Sequence, residues 1–150
     1  MLGKSLKLTL LSGLFFVGGC STTFIDDLIP ETEVNYQEMY VRGVFTWWEA
    51  DENYRLVQVN DKVFAANAKL IADGQPYDFK FADANWTPGT SCGSAEGNAS
   101  VALGLEDKVL ADCQNPQGNF KFTPDETGTY GFVIDFSDPS QPAVYVKRVE

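Results

Sequence analysis

The sequence predicts an all-β chain, a single antiparallel, immunoglobulin-like β-sandwich closed by one disulfide. Three observations carry that expectation. In four separate stretches apolar residues alternate with polar ones at period two, the pattern of strands buried on one face. Turn residues stand between those stretches: the chain has 13 glycines and 7 prolines, and pairs such as Asp73-Gly74, Pro88-Gly89, Gly97-Asn98 and Gly118-Asn119 mark reversals at sandwich-like intervals. Beyond residue 38 no stretch carries a capped apolar stripe at helical spacing, so little helix is expected.

The N-terminus comes first and stands apart from the sandwich. Lys4 and Lys7 precede an apolar run, Leu8 to Val17, of about ten residues. A membrane-spanning helix needs about twice that length, so residues 1–19 read as a cleaved export signal. The run ends in Val17-Gly18-Gly19-Cys20, which resembles the lipobox of bacterial lipoproteins. That resemblance implies cleavage before Cys20, lipidation of its thiol, and anchoring by acyl chains, palmitate among them, at about 0.8 kcal/mol per buried methylene. Ser21 rather than Asp follows the cysteine, which by the same resemblance implies the outer membrane. Residues 20–37, with Pro30, several acids and no clean period, read as a lipidated tether.

The sandwich is expected over 38–150, about 110 residues, enough for one core and no second domain. Its strands are placed, in order, at 39–45, 54–59, Phe64–Leu70, Tyr77–Phe81, 99–103, 119–122, Tyr130–Phe136 and Val144–Val146. Phe64, Ala66, Ala68 and Leu70 share one face, as do Tyr77, Phe79 and Phe81, and again Tyr130, Phe132, Ile134 and Phe136. With Cys20 lipidated, Cys92 and Cys113 remain as an even pair in an exported chain and are expected to form the disulfide.

Charge narrows the function. The chain carries a formal −10, and removing Lys4 and Lys7 with the signal makes the mature protein more acidic still. Nucleic acid is therefore not an expected partner, and contact with the membrane must come through the lipid. Histidine is absent, which removes Ser-His-Asp and Cys-His nucleophiles and histidine-ligated zinc. Carboxylates that could serve as a glycosidase pair, Asp51, Glu52, Asp83, Asp107, Asp112, Asp135 and Asp138, sit in no active-site motif, and the chain reads as no enzyme. Asp135 and Asp138 could offer oxygens to calcium, but their spacing is that of a self-bonded turn rather than of a metal loop. No metal or other cofactor is expected.

The tryptophans say more. Trp47 and Trp48 end the strand Met39-Tyr-Val-Arg-Gly-Val-Phe-Thr-Trp-Trp48, and Trp86 ends Tyr77-Asp-Phe-Lys-Phe-Ala-Asp-Ala-Asn-Trp86. An indole at a strand end offers a flat apolar face on which the C–H bonds of a sugar ring can pack. These two segments, together with the closing Gly128-Thr-Tyr-Gly-Phe132, Asp135-Phe-Ser-Asp138 and Val144-Tyr-Val146, resemble the starch-binding-type sandwich of bacterial pullulanases and the related glycogen-binding domains, over about 39–149.

The resemblance implies contacts to an alpha-glucan through Trp48, Trp86 and Lys80, with the adjacent Trp47 leaving the choice of first platform open. The segment Thr87 to Glu96 has no counterpart in that pattern and could cover the site. The expected function is thus a noncatalytic, membrane-anchored lipoprotein that binds alpha-glucan or a related saccharide. The alternative is an accessory lipoprotein that docks on an envelope protein and binds no sugar.

Overall fold

The computed structural model describes residues 33–97 and 99–149. The signal at 1–19, the lipidation site Cys20 and the tether as far as residue 32 lie outside the described residues.

Among the described residues ten strands follow in order: β1 (Tyr40–Gly43), β2 (Val57–Asn60), β3 (Val63–Leu70), β4 (Tyr77–Ala82), β5 (Ser91–Ser94), β6 (Val101–Leu103), β7 (Val109–Asp112), β8 (Phe120–Phe122), β9 (Gly128–Asp135) and β10 (Ala143–Arg148). One layer runs β2-β3-β9-β10-β7; the other holds β1, β4, β5, β8 and β6. Pairing of β5 with β7 carries the hydrogen bonding from one layer into the other. All strand pairs are antiparallel except β6 with β8, which is parallel, so the sandwich is mixed where an antiparallel one was expected. Residues 104–119, which include β7, connect β6 to β8 and are long enough to bring the chain back in the same direction beside the short β6.

Strand β4 is central to its layer. Along one edge it pairs with β1, Tyr40 opposite Ala82 through Gly43 opposite Phe79. Its other edge is shared, β8 taking Tyr77–Phe79 and β5 taking Phe81 and Ala82. Period two then sends Phe79 and Phe81 into the core and Lys80 outward.

Phe79 meets Phe132 of β9 edge-on, ring centroids 4.7 Å apart at 78°, so one aromatic contact spans both layers. Phe120 and Phe81 close around Phe79 at 5.4 and 5.8 Å. At the start of β9 the Tyr130 hydroxyl donates to the Glu126 carbonyl at 2.6 Å, the tyrosine-corner device of immunoglobulin-like sandwiches.

The expected strands are present, with shifts that have local causes. The first stops at Gly43 because a 3-10 turn, Val44–Thr46, follows it. The second begins at Val57 because Glu52–Tyr54 form another such turn. Strands β5 and β7 were not anticipated: Ser-Cys-Gly-Ser has no large apolar alternation, and its four residues are all buried. Their register sets Gly93 against Asp112, which brings Cys92 opposite Cys113, and the two form the expected disulfide. Tyr36, inside the segment read as tether, stacks on Phe136 at 3.7 Å, so the folded unit begins before residue 38.

The disulfide closes a loop with a sequence separation of 21 and should stabilise the fold by about 3 kcal/mol, chiefly by restricting the unfolded chain. The double replacement Cys92→Ala and Cys113→Ala is expected to lower the unfolding free energy by that amount, read as a reduced midpoint in urea with a steeper slope, because the denatured chain without the cross-link is more expanded.

Candidate functional site

The outer face of the β1–β4–β5 layer gathers the residues singled out from the sequence. Lys80 stands directly across from Arg42 of β1. On the other edge, continuing the β4–β5 register past Phe81 and Cys92 places Gly93 beside it. A Cβ on Gly93 would lie 3.1 Å from Lys80 Cε and 2.4 Å from the Gly118 carbonyl oxygen, so the lysine stem crosses a position that only glycine can occupy. The half-buried Lys80 ammonium makes no hydrogen bond or ion pair among the described residues, and burial pushes its pKa below that of an ordinary lysine.

Trp86 is carried on a turn that Asp83 builds. The Asp83 carboxylate accepts from the Asn85 and Thr87 backbone N–H groups at 3.2 and 2.8 Å and from the Thr90 hydroxyl at 3.1 Å. Those bonds hold its pKa below the usual aspartate range even though burial acts in the opposite direction. Trp86 itself takes a left-handed backbone, φ 57°, at the tip and is 41% exposed. One face of its indole lies on the Arg42 guanidinium, 3.8 Å from the ring centroid.

The first tryptophan turn is held differently. The Gly43 N–H donates to the Thr46 hydroxyl oxygen at 3.0 Å, and that hydroxyl donates back to the Gly43 carbonyl at 3.1 Å. The Trp48 N–H closes the turn on the same carbonyl at 2.9 Å. Trp47 and Trp48 both adopt positive φ, 53° and 62°, a costly state for aromatic residues that the surrounding bonds must hold. Trp47 projects almost wholly into solvent, 87% exposed, whereas Trp48 is half-buried with its carbonyl bound by Arg42.

Arg42 carried no role in the sequence reading, although it lies in the Tyr-Val-Arg-Gly strand quoted there. The only signal it offered was a charge set in an otherwise apolar strand beside a glycine. Thr87–Glu96, the segment that could have covered the site, completes the Trp86 turn and then becomes β5, whose Gly93 lies beside Lys80.

Further along the same face Tyr40 lies under Arg55, whose guanidinium carbon is 4.8 Å from the ring centroid. The tyrosine hydroxyl donates to Glu52 at 2.7 Å, and Arg55 donates to both oxygens of that carboxylate at 2.7 Å. Between this cluster and the Trp86 turn lies a shallow hollow of about 220 Å³ lined by Glu38, Tyr40, Arg55, Asp83, Ala84 and Asn85.

The candidate acid–base carboxylates are all engaged. Asp51, Asp107, Asp112, Asp135 and Asp138 each accept from a backbone N–H within their own turn, and Asp135 and Asp138 also accept from Ser137 and Ser140 hydroxyls at 2.6 Å. The pKa values of Asp135 and Asp138 are lowered by those bonds. A glycosidase acid needs a carboxyl with its pKa raised, the opposite arrangement.

No protein-family profile and no curated protein matches the sequence. A solved structure, "Ligand induced structure of AmyP-SBD", is similar in fold, with a TM-score of 0.53 and 17% identity over 99% of this chain and 96% of that one. The likeness is one of fold: this chain has the sandwich architecture of that structure.

Glu52 sets a pH dependence. Hydrogen bonds from Arg55 and Tyr40 lower its pKa to about 2 from an unperturbed 4.5. Since the folded value is the lower one, the stabilisation is present above pH 4.5 and is lost as the pH falls through about 2. Carbon-detected NMR should show the Glu52 carboxyl titrating near 2, and Glu52→Gln should flatten the loss of stability between pH 4.5 and 2.

Proposed function

We propose that this chain is a noncatalytic carbohydrate-binding lipoprotein that takes an alpha-glucan or a related saccharide on the outer face of the β1–β4–β5 layer. The observation that carries the reading is Trp86 fixed at a turn tip, with one indole face seated on a buried arginine and Lys80 nearby without a partner among the described residues. A sugar ring packs on the free indole face, and the lysine ammonium donates to its hydroxyls. Trp48, or the more exposed Trp47 beside it, supplies the second platform. Resemblance of the fold to a starch-binding domain supports the same ligand class.

A second reading, an accessory lipoprotein that docks on an envelope protein, is favoured by one observation. Trp47 stands out at 87% exposure, more than one sugar platform requires, and such an indole is a natural anchor for a protein interface.

Tryptophan fluorescence titrated with maltoheptaose separates the two. The wild type should respond and saturate, while Trp86→Ala, Trp48→Ala and Lys80→Ala should each weaken binding about tenfold or more, the scale of a lost central contact. A folded protein that responds to no glucan sinks the sugar reading and leaves the docking one.

The chain reaches the outer membrane, on this reading, by export through residues 1–19 and lipidation of Cys20, and the disulfide suits an oxidising compartment. Bacteria expressing the chain and fed labelled palmitate should incorporate label into the wild type and none into Cys20→Ala. The wild type should fractionate with membranes. An unlabelled, soluble wild type would overturn the lipoprotein assignment.

A further inference from the structure

The two tryptophan turns come from distant parts of the chain, and among the described residues no backbone hydrogen bond joins them. Arg42 reaches both. Its Nε donates to the Trp48 carbonyl at 2.7 Å, and its Nη1 donates to the carbonyls of Asp83 and Ala84 at 2.8 and 3.3 Å. The flat face of the same guanidinium lies under the Trp86 indole at 3.8 Å.

With 5% of its surface exposed, the side chain is a buried cation opposite another cation, Lys80, and without a carboxylate at salt-bridge distance among the described residues. Such a placement is unfavourable unless the charge is consumed by fixed dipoles, and three backbone carbonyls and an indole face supply them. Glu49 and Asp83 add longer-range attraction. Only a planar, five-donor group can satisfy carbonyls of two loops while presenting a face to a ring; an ammonium on a single stem cannot.

We infer that Arg42 is the positioning residue of the binding face: it fixes the Trp86 platform relative to the Trp48 turn, so that the two tryptophan turns act as one preformed surface. The inference rests on the saccharide reading for its consequence but not for its geometry. Preorganisation of this kind serves ligands long enough to touch both turns, because a short ligand on one indole does not sense their relative placement. Arg42 therefore sets preference for chain length.

The test uses Arg42→Lys in the full chain, which keeps the charge and removes the fork, with Lys69→Ala on the exposed side of β3 as a control. In nitrogen–proton NMR spectra without ligand, Arg42→Lys should move the Trp86 indole and the Trp48 amide signals, whereas Lys69→Ala should leave both in place. In titrations the variant should lose about tenfold or more for maltoheptaose and little for maltose, collapsing the ratio between them. A folded Arg42→Lys protein with both tryptophan signals unmoved, or with maltose and maltoheptaose affinities reduced equally, overturns the inference.

If the wild type binds no glucan yet the substitution moves both signals, the saccharide reading falls and the positioning role stands. Should Arg42→Lys fail to fold, the wild-type Arg42 Nε–H signal decides. It should be shifted by the ring above it and return toward the ordinary arginine position in Trp86→Ala, and an ordinary position in the wild type overturns the inference.

Discussion

The register of strand β4 is the constraint on which the rest of this molecule depends. Phe79 and Phe81 must face inward to meet Phe132 and Phe120, and that choice alone sends Lys80 outward. A slip of one residue would bury a lysine and expose two phenylalanines, several kcal/mol in the wrong direction. Because β1 is locked against β4 by direct pairing, the same register places Arg42 beside Lys80 and delivers Gly43 to the point where a turn must begin. At Gly43 a Cβ would lie 2.4 Å from the Asp78 carbonyl oxygen, so the layer's packing also demands the glycine that precedes the tryptophan pair. Core and candidate site are thus two sides of one strand pairing.

How much of this was legible in the sequence follows from residue size. Strands β3, β4, β9 and β10 carry large apolar residues at period two and are readable as strands because burial of one face leaves that trace. Strand β5 carries Ser91, Cys92, Gly93 and Ser94, all buried, and small residues packed on both sides leave no alternation to read. Val109–Asp112 in β7 owes its place to pairing with β5 and β10, which no local pattern encodes. The disulfide was legible by parity alone, since one cysteine of three was already assigned elsewhere.

The site divides along the same line. The tryptophans could be singled out as indoles at strand ends, which sequence displays, whereas Lys80 and the joint role of Trp48, Lys80 and Trp86 were what the resemblance to starch-binding-type sandwiches implied. Arg42 could not be assigned, since an arginine in a strand ordinarily reads as solvated, and what buries this one is an indole arriving from a turn some forty residues later. Nor does sequence betray the left-handed backbone at Trp47, Trp48 and Trp86. Positive φ is the habit of glycine and asparagine, and three tryptophans adopt it only because hydrogen bonds to Gly43, Thr46 and Asp83 determine the turns around them.

Acidity and rigidity are linked in this fold. Most aspartates that might have served chemistry accept backbone N–H groups of their own turns, so a large part of the negative charge is engaged in shaping loops. Asp83 shows what that achieves: its carboxylate closes the turn from inside while its carbonyl receives Arg42 from outside. The turn's far end is tied as well, because the Gly89 N–H donates to the carbonyl of Cys113, one of the two disulfide residues. The Trp86 platform is consequently held at both ends, by an arginine on β1 and by the covalent junction between layers. A flat aromatic surface fixed in this way loses little conformational entropy on meeting a ligand, which is the physical condition for useful affinity from a shallow site without a cleft.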